Sequence, residues 1–316
     1  MINLKRLLKK KYFIKIKDYD DLSLIDFSDN KVNYSENFFE EYKRYPKLQL
    51  DSFNKLDLNE VKFYDNSLWS KEELNNKDIL EIGSGAGKFT EILLKTNCNL
   101  ITADINDSIK INYENNFKNN SLNKVCFIKN NVNEIIFKEK TFDFIILYGV
   151  LQNANNQEGI IKDCISLLKK GGKLTLDVTR ASNLHFHLLN PKYFWRIFFT
   201  KMSSSKIFKI VNFLVPKFIP VDTYLKKNLG FLGRIISKIF FPFPLINYFF
   251  LPLKKEIKLK MSVLDTFDAL ASQYDKPLTK MTLKKIIKNV EIELGLNLEK
   301  INITEKKGLI IVNIIS

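Results

Sequence analysis

The stretch Asp78-Ile-Leu-Glu-Ile-Gly-Ser-Gly-Ala-Gly-Lys-Phe-Thr90 decides the fold of this chain. It starts with a short apolar run, broken by Glu81, that is typical of a parallel strand covered on both faces. Gly83, Gly85 and Gly87 follow, and glycines let the backbone turn tightly against a ligand. Apolar residues then recur at helical spacing from Phe89. We therefore predict a strand, a glycine turn and a helix in succession.

The spacing of these glycines argues against two classes of phosphate ligand. Gly-x-Gly-x-Gly is one residue shorter than the dinucleotide pattern, and Gly87-Lys88 is followed by Phe89 instead of the Ser or Thr of a nucleoside triphosphate loop. Glu81 stands two residues before Gly83, where a carboxylate repels a pyrophosphate and favours a cation. A tight turn without any ligand also fits the glycines alone.

The stretch resembles motif I of the class I S-adenosylmethionine-dependent methyltransferases. The resemblance extends over residues 78 to 180 and, more loosely, over 260 to 316, where strands 297–303 and 309–315 are predicted to form a hairpin around Lys307-Gly308. It implies an α/β fold with a Rossmann-like, doubly wound, seven-stranded sheet whose last strand is antiparallel. It also implies S-adenosylmethionine as cofactor, because a sulfonium and an ammonium suit a carboxylate beside glycines.

Further cofactor contacts are predicted where the next strands end. Asp104 closes the second strand 21 residues after Gly83, the place of a ribose-binding acid in doubly wound sheets, although alone it could cap a helix. After the third strand, Asn130 and Asn131 replace the acid that many relatives place near adenine; an Asn carbonyl can accept the same hydrogen bond, or either residue simply forms the turn. The full predicted cofactor set is Glu81, Gly83, Ser84, Gly85, Gly87, Asp104, Ile105, Asn130, Asn131, Val132, Tyr148 and Gly149.

The fourth strand opens into Gly149-Val-Leu-Gln-Asn153, which resembles a family motif that often continues with one or two histidines. Gln152 and Asn153 replace them here, and neither amide is a useful general base. Helix 157–170, closed by two glycines, leads into the fifth strand. Farther along, Asp265-x-Phe and then Tyr274 resemble residues that face the substrate pocket in relatives, although Asp265 could instead cap a helix and Tyr274 could be core. The predicted substrate contacts are Gln152, Asn153 and Tyr274.

Methyl transfer to an alcohol requires the loss of a proton, and three residues are candidate bases by position: His185, His187 and Asp265. The two histidines are more often packing or surface residues at such positions. We predict no metal site, because no cluster of carboxylates and histidines has ligand spacing.

The formal charge of +15 is unevenly placed. Residues 1–17 contribute +7 and residues 181–260 contribute +12, so the rest of the chain is mildly acidic. A lysine-rich composition can also reflect genome base content. We predict four segments: an N-terminal extension, 1–75, with a helix over the cofactor; the cofactor-binding core, 76–180; a basic, apolar, helical insert, 181–260; and the C-terminal completion of the core, 261–316. Residues 1–17 form either a basic amphipathic helix or a solvated arm, and we favour the arm.

The insert carries two apolar stripes at helical spacing among lysines, the first at Ile207, Ile210, Val211 and Leu214 and the second at Leu229, Leu232, Ile236 and Ile239. Such helices suit an anionic membrane surface, a lid over the active site or a dimer interface. The uncharged run 239–253 contains three prolines and is shorter than the ~20 residues that a spanning helix needs.

Three widely spaced cysteines in apolar surroundings, and lysines at 9–11 that interrupt any export signal, favour a cytoplasmic protein, either free or peripheral to the inner face of a membrane. The leading hypothesis is a methyltransferase that acts on a small molecule, glycan or lipid-linked acceptor. A catalytically inactive cofactor-fold protein docked at a membrane is the alternative. An RNA methyltransferase is a further one, disfavoured because the insert lacks an aromatic and arginine reading surface. The oligomeric state stays open.

Overall fold

The computed structural model describes residues 2, 4–12, 24–27, 36–117, 124–131, 134, 136–181, 191–240, 244–272, 274–306 and 308–316. The chain divides into two compact units. The first comprises residues 1–51, 55–181 and 274–316, and the second comprises residues 52–54 and 182–273.

The first unit is built on one mixed sheet with the strand order β1-β4-β3-β2-β5-β6-β8-β7. The strands are β1 (Leu24–Asp26), β2 (Asp78–Ile82), β3 (Asn99–Asp104), β4 (Val125–Lys129), β5 (Phe142–Leu147), β6 (Leu168–Thr179), β7 (Lys300–Lys306) and β8 (Leu309–Ile315). Strands β1 to β6 pair in parallel, whereas β8 runs antiparallel to both β6 and β7. The predicted Rossmann-like class is confirmed, with one more strand than the seven expected because β1 extends the edge beside β4.

Helices cover both faces of this sheet. They are α1 (Leu4–Leu7), α2 (Glu36–Arg44), α3 (Asp51–Asn54, shared with the second unit), α4 (Leu58–Ser67), α5 (Lys88–Leu93), α6 (Ser108–Asn116), α7 (Gln157–Leu167) and α12 (Lys280–Leu294). Successive strand residues point to opposite faces. Leu80 of β2 therefore packs with α7 and α12, and its neighbour Ile79 packs with α4, α5 and α6. Helix α7 ends three residues before the predicted Lys170, because Leu168 already pairs with Phe142.

Residues 4–12, the described part of the N-terminal segment 1–17, are not the solvated arm that the charge pattern favoured. Leu4, Leu7 and Leu8 are buried in the sheet's main hydrophobic cluster. The backbone fixes them there, since the Lys138 amide donates to the Leu7 carbonyl (2.9 Å) and the Lys9 amide donates to the Ile136 carbonyl (2.9 Å). Within residues 4–12, the side chains of Lys5, Arg6, Lys10 and Lys11 are exposed, so this stretch is amphipathic because its leucine side enters the core.

The second unit is helical. It contains α8 (Pro191–Phe199), α9 (Ser204–Asn228), α10 (Gly230–Phe240) and α11 (Lys255–Ala271). The boundary predicted between residues 260 and 261 falls within α11, which belongs whole to this unit. No helix in the described part of the chain is long and apolar enough to cross a bilayer.

Helix α10 lies unusually close to α9. A Cβ atom on Gly233 would lie 1.9 Å from the Leu225 carbonyl oxygen, so only glycine fits this crossing. One turn further on, the Ser237 hydroxyl donates to the carboxylate of Asp222, which is 1% exposed. Lys226 and Asn247 also bind this carboxylate, so the buried charge is paired.

Replacing Gly233 with alanine tests this packing. Helix propensity alone predicts a gain of about 1 kcal/mol, but the clash with a backbone carbonyl costs roughly 1–3 kcal/mol and outweighs it. We expect Gly233→Ala to lower the urea midpoint of unfolding, while Lys209→Ala on the exposed side of α9 leaves it unchanged. A midpoint raised by Gly233→Ala would contradict the close crossing.

Candidate active site

The candidate site lies at the carboxyl ends of the parallel strands. Strand β2 lies between β3 and β5 in the sheet. The chain leaves β2 toward β3 and leaves β5 toward β6, so the loops that follow β2 and β5 run in opposite directions and leave a crevice between them. Ligands of open α/β sheets bind in the crevice that such a switch in strand order creates. The predicted cofactor residues within the described ranges all lie in or directly after β2, β3, β4 and β5.

The glycine turn has a backbone that few other residues could adopt. Gly83, Gly85 and Gly87 have φ angles of +74°, +55° and +93°. The turn is also crowded from above, because a Cβ atom on Gly85 would lie 2.7 Å from the Tyr42 hydroxyl oxygen of α2. Ser84 is buried within the turn, and no described residue bonds its hydroxyl oxygen. The turn is therefore shaped by the sheet below it and by Tyr42 above it.

A buried polar network supports the turn. Glu81 Oε2 accepts hydrogen bonds from Thr90 Oγ1 (2.5 Å) and Thr102 Oγ1 (2.9 Å). Asn112 Nδ2 donates to Thr90 Oγ1 (2.8 Å), which makes α6 part of the network. Asn116 of the same helix donates from Nδ2 to the Gly87 carbonyl (3.0 Å). The network thus connects β2, β3, α5 and α6 to the end of the turn.

The second oxygen of the Glu81 carboxylate is unsatisfied. Glu81 is 2% exposed, and its Oε1 atom has no hydrogen-bond partner among the described residues. Burial raises the pKa of Glu81 to about 7, against the lowering effect of the two threonine hydroxyls. A buried carboxylate in this state gains most from a proton or from a cationic ligand. The site therefore fits a ligand that carries an ammonium group.

Asp104 holds the turn against β3. Its Oδ2 atom accepts the Gly85 amide (2.8 Å), and its Oδ1 atom accepts the Asn106 amide (3.2 Å). Burial raises the pKa of Asp104 above its ordinary value, although these amide hydrogen bonds oppose part of the effect. A ribose diol at this position would have to share the carboxylate with the turn, so ribose binding stays a prediction for Asp104. Ile105 follows it directly and is half-buried.

Of the two asparagines after β4, Asn130 is the better placed. Its amide nitrogen Nδ2 donates to the Asn131 and Glu134 carbonyls (2.9 and 3.1 Å), which fixes the orientation of the side chain. Its Oδ1 atom is buried with no partner within the described ranges, so it remains available to an amino group. Asn131 is half-buried, and Val132 lies outside the described residues.

Asp177 of β6 is a residue that the sequence interpretation missed. Its Oδ1 atom accepts the Gly149 amide (2.6 Å), and burial raises its pKa. Beside it, the Tyr148 hydroxyl shares a 2.8 Å hydrogen bond with Thr175 Oγ1, and burial raises the pKa of Tyr148 as well. An acid alternating with apolar residues near the end of a strand could have signalled this role. Asp177 holds Gly149 in its left-handed conformation (φ +75°).

The predicted substrate residues come from two segments that the structure brings together. The Lys276 amide donates to the Gln152 carbonyl (2.7 Å), and Gln157 Nε2 donates back to the Lys276 carbonyl (2.8 Å). The segment that begins at Tyr274 therefore lies against the loop after β5. Gln152 Oε1 is buried without a partner in the described structure, Asn153 Nδ2 donates to the Gly149 carbonyl (3.4 Å), and Tyr274 is exposed.

The candidate bases are not assembled by the described structure. His185 and His187 lie outside the described residues. Asp265 is half-buried in α11 of the second unit, where its carboxylate accepts a hydrogen bond from the Tyr248 hydroxyl. Within the described ranges there is no group of three His, Cys, Asp or Glu side chains that could hold a metal ion. The three cysteines are free and buried, and burial raises the pKa of the Cys164 thiol to about 12.

Comparison with known families addresses the same segment. Residues 80–176 match the family model described as a methyltransferase domain, which spans β2 through β6 and includes every cofactor position discussed above. Residues 80–176 of this chain form a methyltransferase domain. The buried acceptors Glu81 Oε1 and Asn130 Oδ1 lie within this domain.

Two of the curated relatives are, by their names, methyltransferases of ubiquinone or menaquinone biosynthesis. A ubiquinone/menaquinone biosynthesis C-methyltransferase from Citrobacter koseri is 31% identical over 101 residues, 30% of this chain and 40% of that protein. A ubiquinone biosynthesis O-methyltransferase from Coxiella burnetii is 29% identical over 102 residues, 32% of this chain and 43% of that protein. The chain thus covers less than half the length of these relatives.

Among solved structures, magnesium protoporphyrin IX methyltransferase from Synechocystis PCC 6803 with bound SAH is 12% identical and has a TM-score of 0.42. The alignment covers 92% of this chain and 90% of that one.

Replacing Glu81 with glutamine tests the unsatisfied carboxylate through stability. With a folded pKa of about 7 against 4.5 for the free group, the folded state holds more protons between these values, so stability falls as pH rises from 4.5 to 7. Glu81→Gln should remove roughly 3 kcal/mol of this pH dependence. Urea unfolding of the ligand-free protein at several pH values measures it, and parallel profiles for the two proteins would contradict the raised pKa.

Proposed function

We propose that this protein is an enzyme that transfers a methyl group from S-adenosylmethionine to a small-molecule acceptor. The observation that carries the proposal is the half-satisfied Glu81 carboxylate beneath a glycine turn, at the carboxyl edge of a methyltransferase domain. A carboxylate there attracts an ammonium, whereas it would repel the phosphates of the other ligands that bind at such turns.

The chain's own residues account for positioning. S-adenosylmethionine, when bound, supplies an electrophilic methyl group on a cationic sulfur. Glu81 would hold an amino group through Oε1, and Asn130 Oδ1 would accept a hydrogen bond from the adenine amino group. Asp104 and Asp177 keep Gly85 and Gly149 in place through their amides, so the turn and the loop after β5 form a fixed boundary. Orientation of this kind supplies much of the acceleration of a displacement reaction.

The loop after β5 constrains the class of acceptor. Gln152 and Asn153 can orient an acceptor by hydrogen bonds but cannot take up a proton. An acceptor whose nucleophile loses its proton readily, such as a phenol, or carries a lone pair already, such as an amine, therefore needs least from this loop. His185, His187 and Asp265 remain candidate bases for an alcohol. The quinone-related names of two relatives support a small-molecule acceptor, and a lipid-linked one falls within the proposal.

Titration calorimetry with S-adenosylmethionine tests the cofactor. We expect the parent protein to bind and Gly85→Arg to lose about 100-fold in affinity, since the new side chain meets Tyr42. Gly295→Arg is the matched control, because Gly295 has a similar φ of +60° with open space around it. Asp104→Ala should weaken binding less than Gly85→Arg. Failure of the parent protein to bind would contradict the proposal.

Turnover distinguishes an enzyme from a cofactor-fold binding protein without activity. The release of S-adenosylhomocysteine is measured with panels of phenols, amines, sugars and lipids. We expect turnover with at least one class by the parent protein and by Gly295→Arg but not by Gly85→Arg. Tight cofactor binding with no turnover on any panel would favour the inactive binding protein.

A further inference from the structure

Helix α10 of the second unit is oriented opposite to an ordinary surface helix, which buries its large apolar residues and exposes its polar ones. Its small and polar residues, Gly233 and Ser237, are buried against α9. Its large apolar residues, Phe231, Leu232, Ile235 and Ile236, are on the outside, with exposed fractions of 75%, 63%, 42% and 39%. We call these four residues the apolar face.

The orientation of α10 is fixed by packing. A Cβ atom on Gly233 would overlap the Leu225 carbonyl, so any residue with a side chain would push α10 away from α9 at this crossing. The buried carboxylate of Asp222 requires Ser237 to stay on the inner side. Rotating α10 to bury its apolar face would break both contacts. The exposure of the apolar face is therefore built into the unit.

Further exposed apolar side chains adjoin α10 in the same unit. Leu229 at the start of the connection to α10 is 45% exposed, and Val221 and Tyr224, from the part of α9 that packs on α10, are also exposed. Clusters of this kind on a protein surface mark sites of interaction.

The net charge of the stretch that contains the apolar face favours one class of partner. Residues 191–240 contain ten Lys or Arg and one acid, Asp222, which is buried and paired with Lys226. The cations in exposed positions of α9 and α10 include Lys217, whose Nζ atom lies 3.5 Å from the centre of the Phe213 ring, and Arg234. A second copy of this surface would bring like charges together, which is unfavourable.

We propose that the apolar face of α10 binds the surface of a membrane that contains anionic lipids. A helix with large apolar residues outward and cations beside them lies in the interface plane, with its side chains among the acyl chains and its charges at the headgroups. The face makes the protein a peripheral membrane protein through its second unit. This binding needs no methyl transfer and is measured without it.

Vesicle sedimentation of the full chain tests the proposal. The parent protein should bind vesicles of phosphatidylcholine with phosphatidylglycerol more tightly than vesicles of phosphatidylcholine alone, and lose binding in about 1 M NaCl, where the Debye length is roughly 3 Å. Phe231→Ser/Leu232→Ser should weaken binding to the anionic vesicles at least about tenfold. Lys217→Gln and Arg234→Gln should each weaken it roughly fivefold.

Matched controls come from the first unit. Met281→Ser/Ile292→Ser removes two side chains of similar size that are 80% and 69% exposed, and Lys284→Gln/Lys285→Gln removes two exposed cations of α12. Both should bind as the parent does. Circular dichroism and the urea midpoint verify that each variant is folded, which we expect because every changed side chain is exposed.

Three outcomes would overturn the proposal. The first is a parent protein that binds anionic vesicles no better than neutral ones. The second is a folded Phe231→Ser/Leu232→Ser variant that binds like the parent or like Met281→Ser/Ile292→Ser. The third is a parent protein that is a dimer in analytical ultracentrifugation without vesicles, while Phe231→Ser/Leu232→Ser is a monomer. That result would assign the apolar face to a second copy of the chain.

Discussion

The Glu81 carboxylate, buried with two threonine hydroxyls, is the interaction on which the candidate site depends. Placing a carboxylate inside a sheet costs free energy unless hydrogen bonds compensate it, and only one of its two oxygens is compensated. The hydroxyls come from α5 and β3, and Asn112 of α6 binds one of them in turn. These hydrogen bonds fix β2, β3, α5 and α6 relative to one another. They thereby also fix the shape of the glycine turn that connects β2 to α5.

Local patterns predicted the parts of the fold that depend on local sequence. The run around Glu81 and the glycines specified β2, its turn and α5, and the distance to Asp104 located the end of β3. Contacts between distant residues could not be read in this way. Tyr42 lies over Gly85 although the two are 43 residues apart in the sequence, and Asp177 holds Gly149 from 28 residues away. Only the folded chain brings these pairs together. The burial of Leu4, Leu7 and Leu8 against the sheet was missed for the same reason.

The two apolar stripes of the insert show where periodicity stops being informative. Ile207 and Val211 of the first stripe are buried, whereas Leu229, Leu232 and Ile236 of the second are exposed. Both stripes have helical spacing, and spacing defines a face without saying what covers it. A single glycine and the Asp222 carboxylate turn the second stripe outward. The sequence therefore predicted the helices of this unit but not which of their faces is free.

The raised pKa of Glu81 also determines how electric charge is balanced inside the domain. With a pKa of about 7, the ligand-free Glu81 side chain is mostly protonated and therefore uncharged near pH 6. If an ammonium binds there as proposed, the proton leaves for the solvent and one positive charge replaces another. The interior then contains a neutral ion pair instead of a neutral acid. Binding of a cationic ligand is therefore an exchange of that cation for a proton, and the net charge of the core stays the same.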